Sequence, residues 1–123
     1  MVDKRVLIFE DDKDLLIIFE FLFEDNGWQV FTNATSDEVI ERTEEVQPHL
    51  ILMDNWIPNI GGIAATQALK ADSRFSRIPV IYISANNDVS SLSEKAGADA
   101  FMAKPFDFDE LCGLADKLLN KLS

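Results

Sequence analysis

The chain has 123 residues, the size of one domain, and 47% of them are hydrophobic, enough to fill a core rather than leave a disordered polymer. Its 22 acids against 11 bases give a formal net charge of −11, which argues against the clustered cationic surface that nucleic acid or anionic lipid requires. An acidic excess fits a basic partner, a site that concentrates a divalent cation, or plain solubility, and charge does not choose among them.

Val6-Leu7-Ile8-Phe9 is a continuous apolar run of the kind expected of a strand covered on both faces, and it ends abruptly in Glu10-Asp11-Asp12. A helical pattern follows from Lys13 to Asp25 and stops at Asn26-Gly27. Within it Leu15, Ile18, Phe19 and Leu22 form an i, i+3, i+4, i+7 stripe for the core, while Leu16, Ile17 and Phe21 lie off that stripe. Trp28 to Thr32 reads as a second strand. Thr35 with Glu38 offers a capping box for a helix carrying Val39, Ile40 and Val46, which stops before Pro48.

Leu50-Ile51-Leu52-Met53 is the third strand and ends at Asp54; Asn55 to Gly62, with Pro58, Gly61 and Gly62, reads as a loop before a short helix from Ile63 to Ala71. Pro79 leads into the fourth strand, Val80 to Ile83, which ends at Ser84. A stretch rich in Ser and Asn then opens a helix that closes near Ala96-Gly97. Ala100 to Ala103 is a short fifth strand ending at Lys104-Pro105. The last helix runs from Asp107 to Leu122, with Leu111, Leu114, Leu118 and Leu119 on one stripe. Cys112 lies in that helix as an inert, partly buried thiol; the single cysteine excludes an internal disulfide.

Strands alternating with helices define βαβ units, hence an α/β fold with a doubly wound, five-stranded parallel sheet and helices on both faces. The ligand site of such a sheet lies outside the carboxyl ends of its strands. Glu10-Asp11-Asp12, Asp54, Ser84 and Lys104 all stand there. Carboxylates forced together repel, and burial raises their cost. A hard divalent cation such as Mg²⁺ resolves the conflict through oxygen ligands. Asp54 is then a nucleophile toward a phosphoryl group, with Lys104 neutralising charge on one oxygen and the Ser84 hydroxyl donating to another. Pro105 fixes the chain direction behind Lys104, at the one type of peptide bond for which cis is accessible. Singly, each residue has a plainer role: Asp11 or Asp12 as a helix cap, Ser84 as a cap, Lys104 as a solvated charge. Their coincidence at four strand ends favours a site.

Over essentially its whole length the chain resembles the receiver domain of bacterial two-component response regulators. The resemblance is carried by Val6 to Asp12, Pro48 to Asp54, Ile57-Pro58 with Gly61-Gly62, Ile78 to Ala85, and Gly97 to Phe106. It implies a flavodoxin-like sheet of order 2-1-3-4-5. It also implies that Asp54 takes a phosphoryl group from a phosphohistidine on a histidine kinase or histidine phosphotransfer protein. Glu10, Asp11, Asp54 and the backbone carbonyl of Trp56 would hold Mg²⁺ (or Mn²⁺), Ser84 would sense the phosphoryl group with Phe101 as aromatic switch, and Lys104 would pair with it. The first helix is the usual docking element, which makes Leu16 and Ile17 a partner patch or, alternatively, part of a fully covered core. The expected state is a monomer or a phosphorylation-dependent dimer, cytoplasmic, with no nucleic-acid or membrane partner, and a single domain over residues 1–123 with no output domain visible.

Departures from the family pattern are Glu10 for the usual Asp, Ser84 for the commoner Thr, His49 for Asp before the third strand, and Gly61 for a frequent Asp. Trp56 is the most unusual; its indole either lies over the phosphoryl group and excludes water or packs on neighbouring side chains. A flavin carrier on the same fold is disfavoured by Glu10-Asp11-Asp12, where a cofactor phosphate needs hydroxyls and N–H groups. An aspartyl phosphohydrolase lacks its second acid, since Trp56 stands there. A degenerate receiver, acting only as an interaction module, is opposed by the intact acid, hydroxyl and lysine set.

Overall fold

The computed structural model describes residues 4–57, 61–85, 88–105 and 107–121, so Pro58, the Asn86-Asn87 stretch, Phe106 and Leu122 lie outside the described residues. Apolar runs without a helical period become the strands β1 (Arg5–Phe9), β2 (Gln29–Asn33), β3 (Leu50–Asp54), β4 (Val80–Ser84) and β5 (Ala100–Ala103). Amphipathic stretches between them become the helices α1 (Lys13–Asp25), α2 (Val39–Val46), α3 (Gly61–Ala71), α4 (Val89–Ala96) and α5 (Phe108–Lys121). All pairings are parallel and the order is β2-β1-β3-β4-β5, the doubly wound arrangement expected from the sequence.

Side chains alternate across each strand, so one sheet feeds two cores. Leu7, Phe9, Ile51, Met53, Val80 and Tyr82 face α2, α3 and α4. Val6, Ile8, Leu50, Leu52, Ile81 and Ile83 face α1 and α5. The central strands β3 and β4 are buried along their full length, which is why they read as unbroken apolar runs. The strand order reverses between β1 and β3, and the carboxyl ends of those two strands bring Glu10 and Asp54 to one crevice.

Several local expectations are corrected. The Thr35–Glu38 capping box does not form: α2 begins at Val39, so Glu38 is itself the cap residue, without a side-chain bond, and cannot reach back as a third helical residue. The second strand lies one residue later than expected, because Trp28 is pulled into the core edge-on against Phe23, with ring centres 5.8 Å apart. α3 takes in both Gly61 and Gly62 rather than starting after them.

The largest correction concerns α1. Its buried residues are Phe19 and Phe23, with Leu15, Leu16 and Leu22 packed beside them. Ile18, expected in the core, is exposed, and with Ile17 and Phe21 it forms an outward apolar face (43%, 65% and 76% accessible). Leu16 belongs to the packed side. Leu16→Lys is therefore expected to lower the unfolding free energy by about 1–3 kcal/mol, by forcing an ammonium against apolar neighbours. Ile17→Lys and Phe21→Lys should stay within about 0.5 kcal/mol. Urea unfolding of the three variants checks the assignment of faces.

Candidate functional site

The loop after β1 is wound around a carboxylate. Glu10 is buried, and its Oε2 accepts the backbone N–H groups of Asp11 (3.1 Å) and Asp12 (3.3 Å). Asp12 turns the other way and caps α1, its Oδ1 accepting from the N–H groups of Asp14 (3.0 Å) and Leu15 (3.2 Å). Of the two acids that could have been only a cap, Asp12 is the one. Asp11 stays exposed beside the crevice. Phe9 pairs with Met53, so Glu10 and Asp54 follow as neighbours across the β1–β3 ladder. One carboxylate oxygen from each of Glu10, Asp11 and Asp54 lies within 4.8 Å of the others.

Among the described residues one cation enters this cluster. Lys104, just past β5, donates from Nζ to Asp54 Oδ1 at 3.0 Å and to Glu10 Oε1 at 3.2 Å. Its backbone N–H donates to the Ser84 carbonyl at 2.9 Å, which ties the lysine to the end of β4. The Lys104–Pro105 peptide bond is cis. Burial and then the Asp54 charge push the Glu10 carboxyl above its ordinary range, against the opposing pull of Lys104. Burial alone would lower the Lys104 ammonium, but its hydrogen bond to Asp54 and the charges of Asp54 and Glu10 outweigh that and hold it above its usual value. The electrostatic balance is thus short of positive charge. An all-oxygen set of three carboxylates is the donor chemistry a hard divalent cation takes, so the residues present fit such an ion.

Ser84 is wholly buried at the end of β4, one residue past Ile83, the ladder partner of Asp54. Phe101 is 46% accessible on β5, paired with Tyr82. Trp56 is 73% accessible, a surface side chain on the turn after Asp54. His49 accepts the Arg5 N–H at Nδ1 (3.1 Å) at the amino end of the sheet, remote from the crevice. Cys112 is partly buried, its thiol pushed up by burial and by Asp116, Asp109 and Asp25, in keeping with an inert role.

Two features of the crevice escaped the sequence reading. Gly62 lies so close to β3 that a Cβ there would stand 2.5 Å from the Asp54 carbonyl oxygen, so α3 starts hard against the acid-bearing strand. Tyr82, inside an apolar strand, donates its hydroxyl to Asn55 Oδ1. A phenol in an otherwise apolar buried run was the available signal, since such a group requires a partner.

A strand-end cluster of acids faced by one lysine, at the switch point of a parallel five-stranded sheet, is the arrangement of a signalling receiver. A family model described as the response regulator receiver domain matches residues 6–116, and the chain belongs to that family. It is 28% identical over 119 residues to sporulation initiation phosphotransferase F of Bacillus subtilis, covering 97% of this chain and 96% of that protein. It is also 28% identical over 124 residues to the CAI-1 autoinducer sensor kinase/phosphatase CqsS of Vibrio cholerae, where it covers 98% of this chain but spans 17% of that much longer protein. Among solved structures, the receiver domain of the sensor histidine kinase PA1611 of Pseudomonas aeruginosa, with a magnesium ion coordinated in its active site cleft, superposes with a TM-score of 0.88 at 25% identity, over 97% of this chain and 99% of that one.

The charge imbalance has a consequence for stability. Because the Glu10 carboxyl is held above its ordinary range, its proton favours the folded chain. That contribution is complete below the ordinary carboxylate value and is lost as pH rises through the raised one. Asp54→Asn removes the charge most responsible after burial and leaves Lys104 to Glu10. Without metal the variant should be about 1 kcal/mol more stable at neutral pH, a few degrees in Tm. The gain should shrink on acidification and in saturating Mg²⁺; calorimetric melts across pH check both.

Proposed function

We propose that this chain is a phospho-accepting receiver in which Asp54 takes a phosphoryl group from a phosphohistidine on a histidine kinase or histidine phosphotransfer protein, Mg²⁺-dependent, and so switches a protein-binding surface. The observation that carries this reading is Lys104 held between Glu10 and Asp54 at the mouth of the acid cluster. An Asp54 carboxylate oxygen attacks phosphorus, the P–N bond to the imidazole breaks with its electron pair returning to nitrogen, and an acyl phosphate forms. Lys104, already against Asp54 Oδ1, moves with the charge onto a phosphoryl oxygen. Ser84 supplies a hydroxyl from the end of the neighbouring strand.

Glu10, Asp11, Asp54 and the Trp56 backbone carbonyl are the residues assigned to the cation, Mg²⁺ or Mn²⁺. Bound there, such an ion would neutralise the carboxylates and the phosphoryl oxygens together. The switch we assign to Ser84 and Phe101 runs from the buried end of β4 to the half-exposed face of β5. The docking face is the exposed side of α1, Ile17 with Ile18 and Phe21; Leu16 supports it from the packed side. Residues 1–123 then act as one receiver domain, in the cytoplasm, as a monomer or a phosphorylation-dependent dimer.

Incubation with Mg²⁺ and a small-molecule acyl phosphate donor should label the chain with an acid-stable, base-labile phosphoryl group. Labelling that survives in Asp54→Asn, or its absence in the wild type, overturns the reading. Trp56, exposed beside the acceptor, is assigned the role of shielding the acyl phosphate from water. Trp56→Asn should therefore shorten the phosphoryl lifetime, and an unchanged or longer lifetime removes that role.

A further inference from the structure

A buried hydroxyl that the proposed transfer does not use sits beside the phosphoacceptor loop. Tyr82 is the one tyrosine of the chain. It is wholly buried on the face of the sheet covered by α2, α3 and α4, paired with Met53, the residue before Asp54. A phenol removed from water must find a partner or carry the full desolvation cost of its hydroxyl. Its O–H donates to Oδ1 of Asn55, the residue immediately after Asp54.

Asn55 is fastened elsewhere as well. Its N–H donates to the Ile83 carbonyl at 2.8 Å, and its carbonyl accepts the Gly62 N–H at 3.3 Å. Those bonds tie the backbone to β4 and to the first turn of α3, and the Tyr82 bond pins the side chain to the core between them. Asn55 and Trp56 form a turn, and Ile57 N–H closes it onto the Asp54 carbonyl at 3.3 Å. Trp56 has its indole 73% accessible, so its own side chain gives the turn little anchorage. A small divalent cation tolerates little error in the position of its oxygens. Orientation of the Trp56 carbonyl must therefore come from the residues flanking it: Ile57, buried in the core, on one side, and on the other Asn55, tied to β4 by its backbone and to Tyr82 by its side chain.

We infer that Tyr82 is a positioning residue for the cation site: through Asn55, its hydroxyl fixes the turn that carries the Trp56 carbonyl. The inference rests on the proposed assignment of that carbonyl to the metal. Burial, followed by the Asp54 charge, pushes the phenol up to about 12, so it remains a protonated donor at neutral pH. Tyr82→Phe deletes the donor while keeping the ring that packs the core.

The test uses the full chain and Mn²⁺ alone, with affinity measured by titration calorimetry and metal-free stability by thermal unfolding. Partners behind a ligand typically contribute about tenfold or more to affinity, so Tyr82→Phe should weaken Mn²⁺ binding about tenfold. Asn55→Ala breaks the same bond from its partly exposed side and guards against a Tyr82 variant that folds poorly. It should lose a similar factor, and the double variant should lose no more than either single one, as expected of a shared interaction. Mn²⁺ affinity within about twofold of wild type in both single variants, whatever their melting temperatures, overturns the inference and leaves the cation site standing. A wild type that binds no Mn²⁺, or an Asp54→Asn variant that binds as tightly, overturns the cation assignment and this inference with it.

Discussion

Two buried carboxylates on adjacent strands set the terms for everything else at this site. Glu10 and Asp54 retain 2% and 4% of their accessibility, and the β1–β3 register that places Phe9 beside Met53 leaves them no way to separate. Strands that are apolar on both faces cannot slip by one residue without turning a whole hydrophobic set outward. The repulsion is therefore held in place by the two cores, and the chain tolerates it as a local cost at a functional position. Among the described residues only Lys104 opposes it directly, from the far side of β4. One ammonium among three acids leaves an attraction for further positive charge, and that attraction is the physical basis for the proposed cation site.

The loops around the crevice divide the work of holding it. Asp12 serves α1 as its cap, and Glu10 is kept inward by the N–H groups of Asp11 and Asp12. Gly62 lets α3 begin against the Asp54 backbone, where any Cβ would collide with a carbonyl oxygen. The Lys104 N–H on the Ser84 carbonyl joins the ends of β4 and β5, so the hydroxyl and the ammonium are carried by neighbouring points of one ladder. In the proposed switch, that ladder is the connection between Ser84 and the half-exposed Phe101.

The carboxyl ends of β1, β3 and β5 were legible in the sequence because an apolar run broken by a charge admits one placement. Asp54, Glu10, Asp11 and Lys104 meet where the fold rule for parallel sheets puts them. The faces of α1 were not legible: every residue from Leu15 to Phe23 except Glu20 is apolar, so several stripes fit equally well and only packing selects Phe19 and Phe23. The start of α2 was hidden for a related reason. Thr35, Ser36 and Asp37 all suit a cap, yet the chain turns once more before Val39 and buries Ser36 completely. The Tyr82–Asn55 bond was out of reach because it depends on the register of β4 against β3, which local pattern does not encode.

The exposed face of α1 connects this geometry to its proposed partner. Three large apolar side chains in water, Ile17, Ile18 and Phe21, are an exposure that monomeric surfaces tend to avoid when clustered. They lie one to two turns below the amino end of α1, and that end leaves the crevice directly through Asp12. At a rise of about 1.5 Å per residue, Phe21 stands roughly 12 Å along the helix from Lys13. Glu20, Glu24 and Asp25 on the same helix favour a donor whose apolar ridge is bordered by Lys or Arg. The acidic excess of the whole chain would favour approach of the proposed partner, and the apolar stripe would supply the contact on which it settles.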